Sequence, residues 1–247
     1  PHEKIIPQNF FVKLFLNKLD GIIVMSNSVE KELLELDKSY NYKKLFLPII
    51  NNLGDPLDYY ASKNEIKLDS DKKIFLFFGL IRKYKGLDVF LNAINRIDAA
   101  LLNKATFLIV GENYESIDKY KKILNKRRKS HVKWITKYIP DNNINLYFSA
   151  SDYIVLPYKT ASQSGIVPIA YHFKKPVIVS KIAGLEEVVI NGETGYTFDS
   201  SNIDDLKAIL EACIQSDSNI NPKRIEELKN ELSTESFVRK LTSFIDE

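Results

Sequence analysis

Two glycine-bearing turns hold the residues of this chain best suited to chemistry. The first, Phe75-Leu-Phe-Phe-Gly79-Leu-Ile-Arg82-Lys-Tyr-Lys85-Gly86, ends an apolar run in glycine and follows it with cations. The second runs from Tyr153-Ile-Val-Leu-Pro157 into Thr160-Ala-Ser-Gln163-Ser164-Gly165 and then an apolar segment with helical spacing. Backbone N–H groups at a strand-to-helix turn, joined by a nearby ammonium or guanidinium, suit a phosphate group. Glycine lets the chain approach such a ligand, and Ser164 can cap the helix that follows. Two turns of this kind in one sheet point first to a nucleoside diphosphate. The alternative for Arg82 and Lys85 is a pair of solvated loop cations, and for Ser164 and Gly165 an ordinary capped turn.

Positioning these turns requires a sheet, and the pattern supplies one. Strands are predicted over 21–26, 45–49, 73–79, 105–111, 132–136, 153–157 and 176–180. Helices are predicted from Ser28 and over 87–97, 116–128, 143–150, 203–215, 222–232 and 235–246, with 51–63 polar and loop-like. Ile203, Leu206, Ile209, Leu210, Cys213 and Ile214 make one stripe, with Ser201 as the expected cap. Asn191-Gly-Glu-Thr-Gly195 reads as a turn. Strands apolar on both faces imply a parallel sheet covered on both sides, with ligands outside its carboxyl ends. The fold class is therefore α/β, a Rossmann-like doubly wound parallel sheet. The polar stretch at 51–63 marks the boundary of a partial second domain, since the two strands and two helices upstream cannot make a doubly wound domain alone.

Composition narrows the function classes. The 247 residues are 45% apolar and 27% charged, as in a soluble globular protein. One cysteine excludes a disulfide framework and favours a reducing compartment. A net charge of +3 is too mild to argue for nucleic acid. No apolar run approaches the roughly 18 residues of a membrane span, and no signal peptide is visible. His2, His131 and His172 lie far apart, so no metal site is expected. The expected location is cytoplasmic, or peripheral at the inner membrane face. The first residue is Pro1, and the incomplete first domain leads us to expect a longer natural chain.

At the two turns the chain resembles the retaining glycosyltransferases of family 4, which have the two-domain GT-B fold. The matching stretches are Phe78–Leu87, Leu108-Ile-Val-Gly-Glu112, Tyr138-Ile-Pro-Asp141, Ala150–Tyr158, Gln163-Ser-Gly165, Lys175-Pro-Val-Ile178, Ala183-Gly-Leu-Glu-Glu-Val188 and Asn191–Gly195. They occur in family order across residues 73–198, and the likeness is weaker over 1–50. The resemblance implies that residues 1–50 end the amino-terminal acceptor domain. Residues 51–232 would form the carboxyl-terminal donor domain, and 233–247 a terminal helix crossing back. It further implies a sugar transferred with retention from a UDP- or GDP-sugar to an acceptor hydroxyl. The acceptor would be a glycan or lipid-linked, in polysaccharide or glycolipid biosynthesis, with no cofactor and no obligatory metal. The fragment alone is expected not to turn over.

Carried over residue by residue, Arg82 and Lys85 neutralise the donor diphosphate, although the usual arginine position beside Gly79 is Leu80 here. Gly79, Gly111, Glu112, Tyr138, Ile139, Gln163, Ser164 and Gly165 would line the donor site, with the base read through Tyr138 and Ile139. For Glu112 and Gln163 the alternative is a surface side chain. Glu186 and Glu187 are expected to begin a helix, and His172 to be a packed core histidine. The run Lys119–Lys129 reads as a solvated helix face, its alternative being a weak contact with an anionic membrane. Two glutamates that many family members carry stand at the positions of Ser162 and Ala170. Their loss keeps open a non-catalytic nucleotide-sugar-binding subunit, or another GT-B nucleotide-sugar enzyme such as an epimerase.

Overall fold

The computed structural model describes residues 8–49, 53–216 and 220–246. In chain order its elements are α1 (Gln8–Leu16), β1 (Ile22–Val24), α2 (Asn27–Leu36), β2 (Tyr42–Lys44), α3 (Tyr59–Glu65), β3 (Lys73–Phe78), α4 (Leu87–Arg96), α5 (Ala99–Leu102) and β4 (Ala105–Val110). There follow α6 (Ile117–Lys121), β5 (Val132–Ile135), α7 (Ile144–Ser149), β6 (Tyr153–Leu156), α8 (Ile166–His172), β7 (Val177–Ser180) and β8 (Gly195–Phe198), then α9 (Ile203–Gln215), α10 (Pro222–Glu231) and α11 (Thr234–Asp246).

Six strands form the main sheet in the order β5-β4-β3-β6-β7-β8, every neighbouring pair parallel. Chain order runs outward from β3 in one direction and from β6 in the other. The crevice where it reverses therefore lies at the carboxyl ends of β3 and β6, where the two glycine turns leave the sheet. Side chains alternate across the pleat. Ile74, Leu76 and Phe78 pack with residues of α7, α8 and α10, while Phe75 and Phe77 pack with α4 and α9. Burial of both faces makes β3 a continuous apolar run in the sequence. Phe75 stacks between Phe107 and Tyr153, with ring centroids 5.5 and 5.3 Å away.

β1 and β2 make a separate parallel pair. Ile49 N–H donates to the Leu232 carbonyl at 2.8 Å, and the Thr234 hydroxyl donates to the Ile49 carbonyl at 2.7 Å. At the far end of α11 the Phe244 ring lies against Gly21, so the last helix packs on the first strand unit.

Several elements differ from expectation. The strand expected over 45–49 lies earlier, at β2, and the segment after it carries Pro48, which has no N–H for a ladder. The stretch 51–63 is not all loop: Asp58 accepts from Ala61 N–H at 2.8 Å and starts α3. The helix expected over 116–128 shrinks to α6, because Tyr120 and Leu124 are its only fully buried residues. β8 was not expected; it pairs with β7 at the sheet edge. The cap of α9 is Asn202, whose side chain accepts from Asp205 N–H, whereas Ser201 takes a left-handed φ of 64°. Glu186 and Glu187 start only a single 3-10 turn, Glu186–Val188.

Candidate functional site

At the end of β3 the chain turns through Gly79, at φ +112°, where a Cβ would lie 2.9 Å from Lys85 Nζ. The ammonium is thus seated on the glycine. Beside it, β4 ends in Gly111 at φ +141°, where a Cβ would stand 2.0 Å from the Gly79 carbonyl oxygen. Only glycine fits either position. Lys85 is brought there by a single 3-10 turn, Lys83–Lys85, whose closing glycine is also the start of α4.

Neighbouring loops hold this turn in place. Ile81 N–H donates to the Glu112 carbonyl at 2.8 Å, and Lys83 N–H donates to the Glu115 carboxylate at 2.5 Å. From the other side, Lys159 N–H donates to the Tyr84 carbonyl at 2.7 Å, and the Lys159 ammonium pairs with Asp88 at 2.6 Å.

Lys85 makes no ion pair or hydrogen bond among the described residues; its ammonium faces the Tyr158 ring, 5.1 Å from the centroid. Desolvation, opposed in part by Tyr84 and helped a little by the Arg82 charge, holds the ammonium below the ordinary lysine range. A desolvated cation without an anion is costly, and a bound anion offsets that cost. Tyr158 is itself buried beside Ser164. Its hydroxyl makes no hydrogen bond of ordinary geometry, and burial pushes it up to about 12.

Gly79, Lys85, Gly111, Glu112, Tyr138 and Ile139 line one cleft of about 270 Å³ together with Phe78, Leu80, Asp141, Ile144 and Ile166. Six residues singled out in the sequence therefore meet. Tyr138 stands exposed at the rim and Ile139 is buried. Glu112 is half-buried, and the Tyr114 hydroxyl reaches its carboxylate at 3.4 Å. Asp141, Ile144, Ile166 and the Tyr158 ring are site residues that the sequence does not mark as such. Their only signal is position, each falling within or beside a quoted motif.

Arg82 is placed elsewhere. Its guanidinium is exposed, stacks on the Tyr114 ring at 4.7 Å, and lines a shallow outer groove with Lys83, Tyr84, Glu115 and Lys159. Gln163 and Ser164 line a separate small pocket with Met25, Phe46, Leu47, Pro168, Gly184 and Val188. Ser164 does sit at the helix start, its hydroxyl accepting from Ile166 N–H at 3.2 Å. Gly165 has an ordinary negative φ of −68°, and a Cβ there would meet Leu47 at 3.6 Å, an unstrained contact. Ile166, the first residue of α8, lines the Gly79–Lys85 cleft, its side chain reaching within 3.9 Å of a Cβ built on Gly79. Ala170 is wholly buried and Ser162 exposed, and neither supplies a carboxylate.

His172 is half-buried rather than a core residue, and its Nε2 shares a hydrogen bond with the Gly54 carbonyl at 2.8 Å. The basic run around α6 is partly engaged: Lys119 pairs with Glu115, and Arg128 donates to the Ile97 carbonyl at 2.7 Å. Among the described residues no helix is long and apolar enough to cross a membrane, and no three potential metal ligands gather.

Known proteins resemble this chain in sequence or in fold. The chain is 27% identical over 205 residues to an uncharacterized glycosyltransferase of Methanocaldococcus jannaschii, covering 82% of this chain and 52% of that protein. It is 26% identical over 203 residues to an uncharacterized protein of the cps region of Klebsiella pneumoniae, covering 82% of this chain and 53% of the other. The chain thus spans about half the length of these relatives. Among solved structures, sucrose-phosphate synthase from Thermosynechococcus elongatus superposes with a TM-score of 0.78 at 18% identity, over 96% of this chain and 60% of that one. Anabaena HepE in complex with UDP gives 0.80 at 15% identity, over 97% and 68%. At such identities the likeness is one of fold, and the fold is GT-B. The sequence model of the family described as glycosyl transferases group 1 matches residues 59–231, well over half of the chain, and the protein belongs to that family.

Proposed function

We propose that the protein transfers a hexose-type sugar from a nucleoside diphosphate donor, UDP- or GDP-linked, to an acceptor hydroxyl with retention at the anomeric carbon. The acceptor is a glycan or a lipid-linked glycan, and the described residues form the donor half of the enzyme. One observation carries the reading: the half-buried Lys85 ammonium has no anionic partner among the described residues and lies on Gly79, inside a cleft at the strand-order reversal. Family membership supports it, as does a fold shared with a protein solved with UDP bound.

In this reading Lys85 meets the donor diphosphate. The bond from the anomeric carbon to the phosphate oxygen breaks, and the acceptor oxygen attacks from the same face. Its proton passes to the departing phosphate. The fixed ammonium stabilises charge as it develops on the leaving group, without proton transfer of its own, and needs no metal to do so. Arg82 plays the lesser part, because its guanidinium is engaged on Tyr114 outside the cleft. Tyr138 and Ile139 flank the base. A second reading, a nucleotide-sugar-binding subunit without turnover, is favoured by Ser162 and Ala170, which leave the site without the two family glutamates.

Calorimetric titration with UDP and with GDP tests the proposal. One nucleotide should bind, and Lys85→Ala should weaken it about 10- to 100-fold, the effect of removing one charge-assisted hydrogen bond. Arg82→Ala should cost about threefold or less, as for an exposed cation. Binding of neither nucleotide, or binding indifferent to Lys85→Ala, would overturn the reading. Product formation by a longer chain carrying the acceptor half separates transferase from sensor.

A further inference from the structure

Glu187 bridges two parts of the chain far apart in sequence. One carboxylate oxygen accepts from Asn27 N–H at 2.8 Å, and the other accepts from Gly184 N–H at 2.9 Å. Asn27 is the first residue of α2, and the side chain of the capping residue Ser26 accepts from Val29 N–H. The carboxylate thus satisfies another of the free N–H groups at that helix start, where negative charge is favoured. The Lys44 ammonium in turn donates to the Asn27 side-chain oxygen at 2.6 Å and to Glu30 at 2.7 Å, so β2 and α2 are locked to each other at the same point.

On the other side, Gly184 sits directly on the phosphate turn. It adopts φ +86°, and a Cβ there would stand 2.0 Å from the Ser162 carbonyl oxygen and 2.7 Å from Gln163 N. The Gly184 loop therefore packs backbone against backbone on Ser162 and Gln163, and only glycine allows that approach. Met25, Phe46 and Leu47 of the amino-terminal unit close the same region, lining one small pocket with Gln163, Ser164 and Gly184.

We propose that Glu187 is the positioning residue of the Ser162–Gly165 turn, holding the Gly184 loop against it and coupling its setting to the unit of β1, α2 and β2. That the turn serves donor binding rests on the proposed function; the coupling itself does not. Glu187 touches no reacting atom and acts through Gly184. Its carboxylate has the two acceptors that the two N–H groups need, and glutamine has only one.

Amide hydrogen exchange of the nucleotide-free chain tests the coupling, comparing wild type with Glu187→Gln, Glu187→Ala and Asn27→Pro. Proline is tolerated at the first helical position, and the extended conformation of Ser26 suits a following proline, so Asn27→Pro removes the donor N–H with α2 intact; Asn27→Ala, which loses only the side-chain bond from Lys44, is its control. All three variants should speed exchange at Gly184, whose N–H donates to Glu187, about tenfold or more, the opening expected when a charge-assisted hydrogen bond is removed, and should shift the amide resonances of 162–165. Exchange in β3 and β4 should keep its wild-type rate. Unchanged exchange at Gly184 with unshifted 162–165 amide resonances in Asn27→Pro would overturn the proposal, since a purely local role for Glu187 could not be felt there. Uniform acceleration through the sheet would overturn it too, as general destabilisation. Titration with UDP and GDP gives the second arm: in a chain that binds, the Glu187 variants should weaken binding about tenfold, and unchanged affinity refutes the positioning role. Lys85→Ala should weaken binding with wild-type exchange at Gly184. If wild type binds neither nucleotide, the proposed function fails while the exchange result still decides the coupling.

Discussion

Replacing Lys85 by methionine should move stability and nucleotide binding in opposite directions. The side chain keeps its length and apolar stem but loses a half-buried charge that has no anion beside Tyr158. In the nucleotide-free protein that charge is a net cost, so its removal should stabilise the fold by about 1 kcal/mol, as when buried ions are exchanged for apolar groups. For a chain of this size the melting midpoint should rise by about 2–4 °C. Binding of UDP or GDP should fall about 10- to 100-fold, because the ammonium's hydrogen bond to a phosphate in the complex is charge-assisted.

The pH dependence has a definite sign. Burial lowers the Lys85 pKa in the folded chain, so the unfolded chain binds this proton more tightly. The penalty is present below the folded pKa and is relieved as pH rises towards the unfolded value of about 10.4. Nucleotide binding works against burial and favours the ammonium. Affinity should therefore weaken as pH rises through the lowered value, with proton uptake on binding in that range. Differential scanning calorimetry on the free variant and titration in two buffers of unlike ionisation enthalpy read both effects. A variant that melts lower and binds as well as wild type would refute the account of Lys85 as a site held open for an anion.

Three further outcomes are expected. Gly111→Ala places a methyl 2.0 Å from the Gly79 carbonyl at a φ of +141°, so it should cost about 3 kcal/mol or more in denaturant unfolding and weaken nucleotide binding by displacing Gly79. Asp152→Ala should destabilise by about 2–3 kcal/mol without touching nucleotide affinity, because Asp152 accepts from the Tyr59 hydroxyl at 3.0 Å and from Ile74 N–H at 2.7 Å at the opposite end of the sheet. Burial holds Lys175 down at about 8, so its protonation destabilises the fold below pH 8 and the penalty lifts between there and the ordinary lysine value; Lys175→Met should flatten stability against pH across that window in urea titrations.

The architecture was legible because each buried strand left a continuous apolar run and each long helix a stripe. β3 and α4 fall within a residue or so of expectation for that reason. What escaped was set by tertiary context. β8 is a four-residue edge strand whose place is fixed by its partner Val177–Ser180 and not by its own composition. α6 is short because its basic residues had no apolar face to extend it, which a count of helix formers does not register. In the site, Gly79, Lys85 and Gly111 were legible because glycine after an apolar run is a backbone demand. The separation of Arg82 from Lys85 was not, since a spacing of three residues leaves both directions open until the Tyr114 ring takes one guanidinium. Glu187 was invisible as a bridge because its partner lies 160 residues away.

Lysines at the two ends of one sheet show how a structural cation differs from one awaiting a ligand. At the amino end Lys63 is wholly buried, yet its ammonium donates to the Ser70 and Lys72 carbonyls at 3.0 and 2.8 Å and lies over the Tyr59 ring, with Asp152 close by. Lys175 likewise donates to the Ser149 carbonyl at 3.1 Å. Their positive charge is matched within the fold, and nothing further is needed to hold it. At the carboxyl end Lys85 is desolvated as they are but has an aromatic face where they have carbonyls, and a cleft in front of it. A fold selected for stability alone would close that position with an apolar side chain. Retaining an unmatched ammonium there, beside a glycine whose φ of +112° few other residues adopt, concentrates the energetic cost at the one edge where a parallel sheet takes its ligands, and the charge left unmatched is positive.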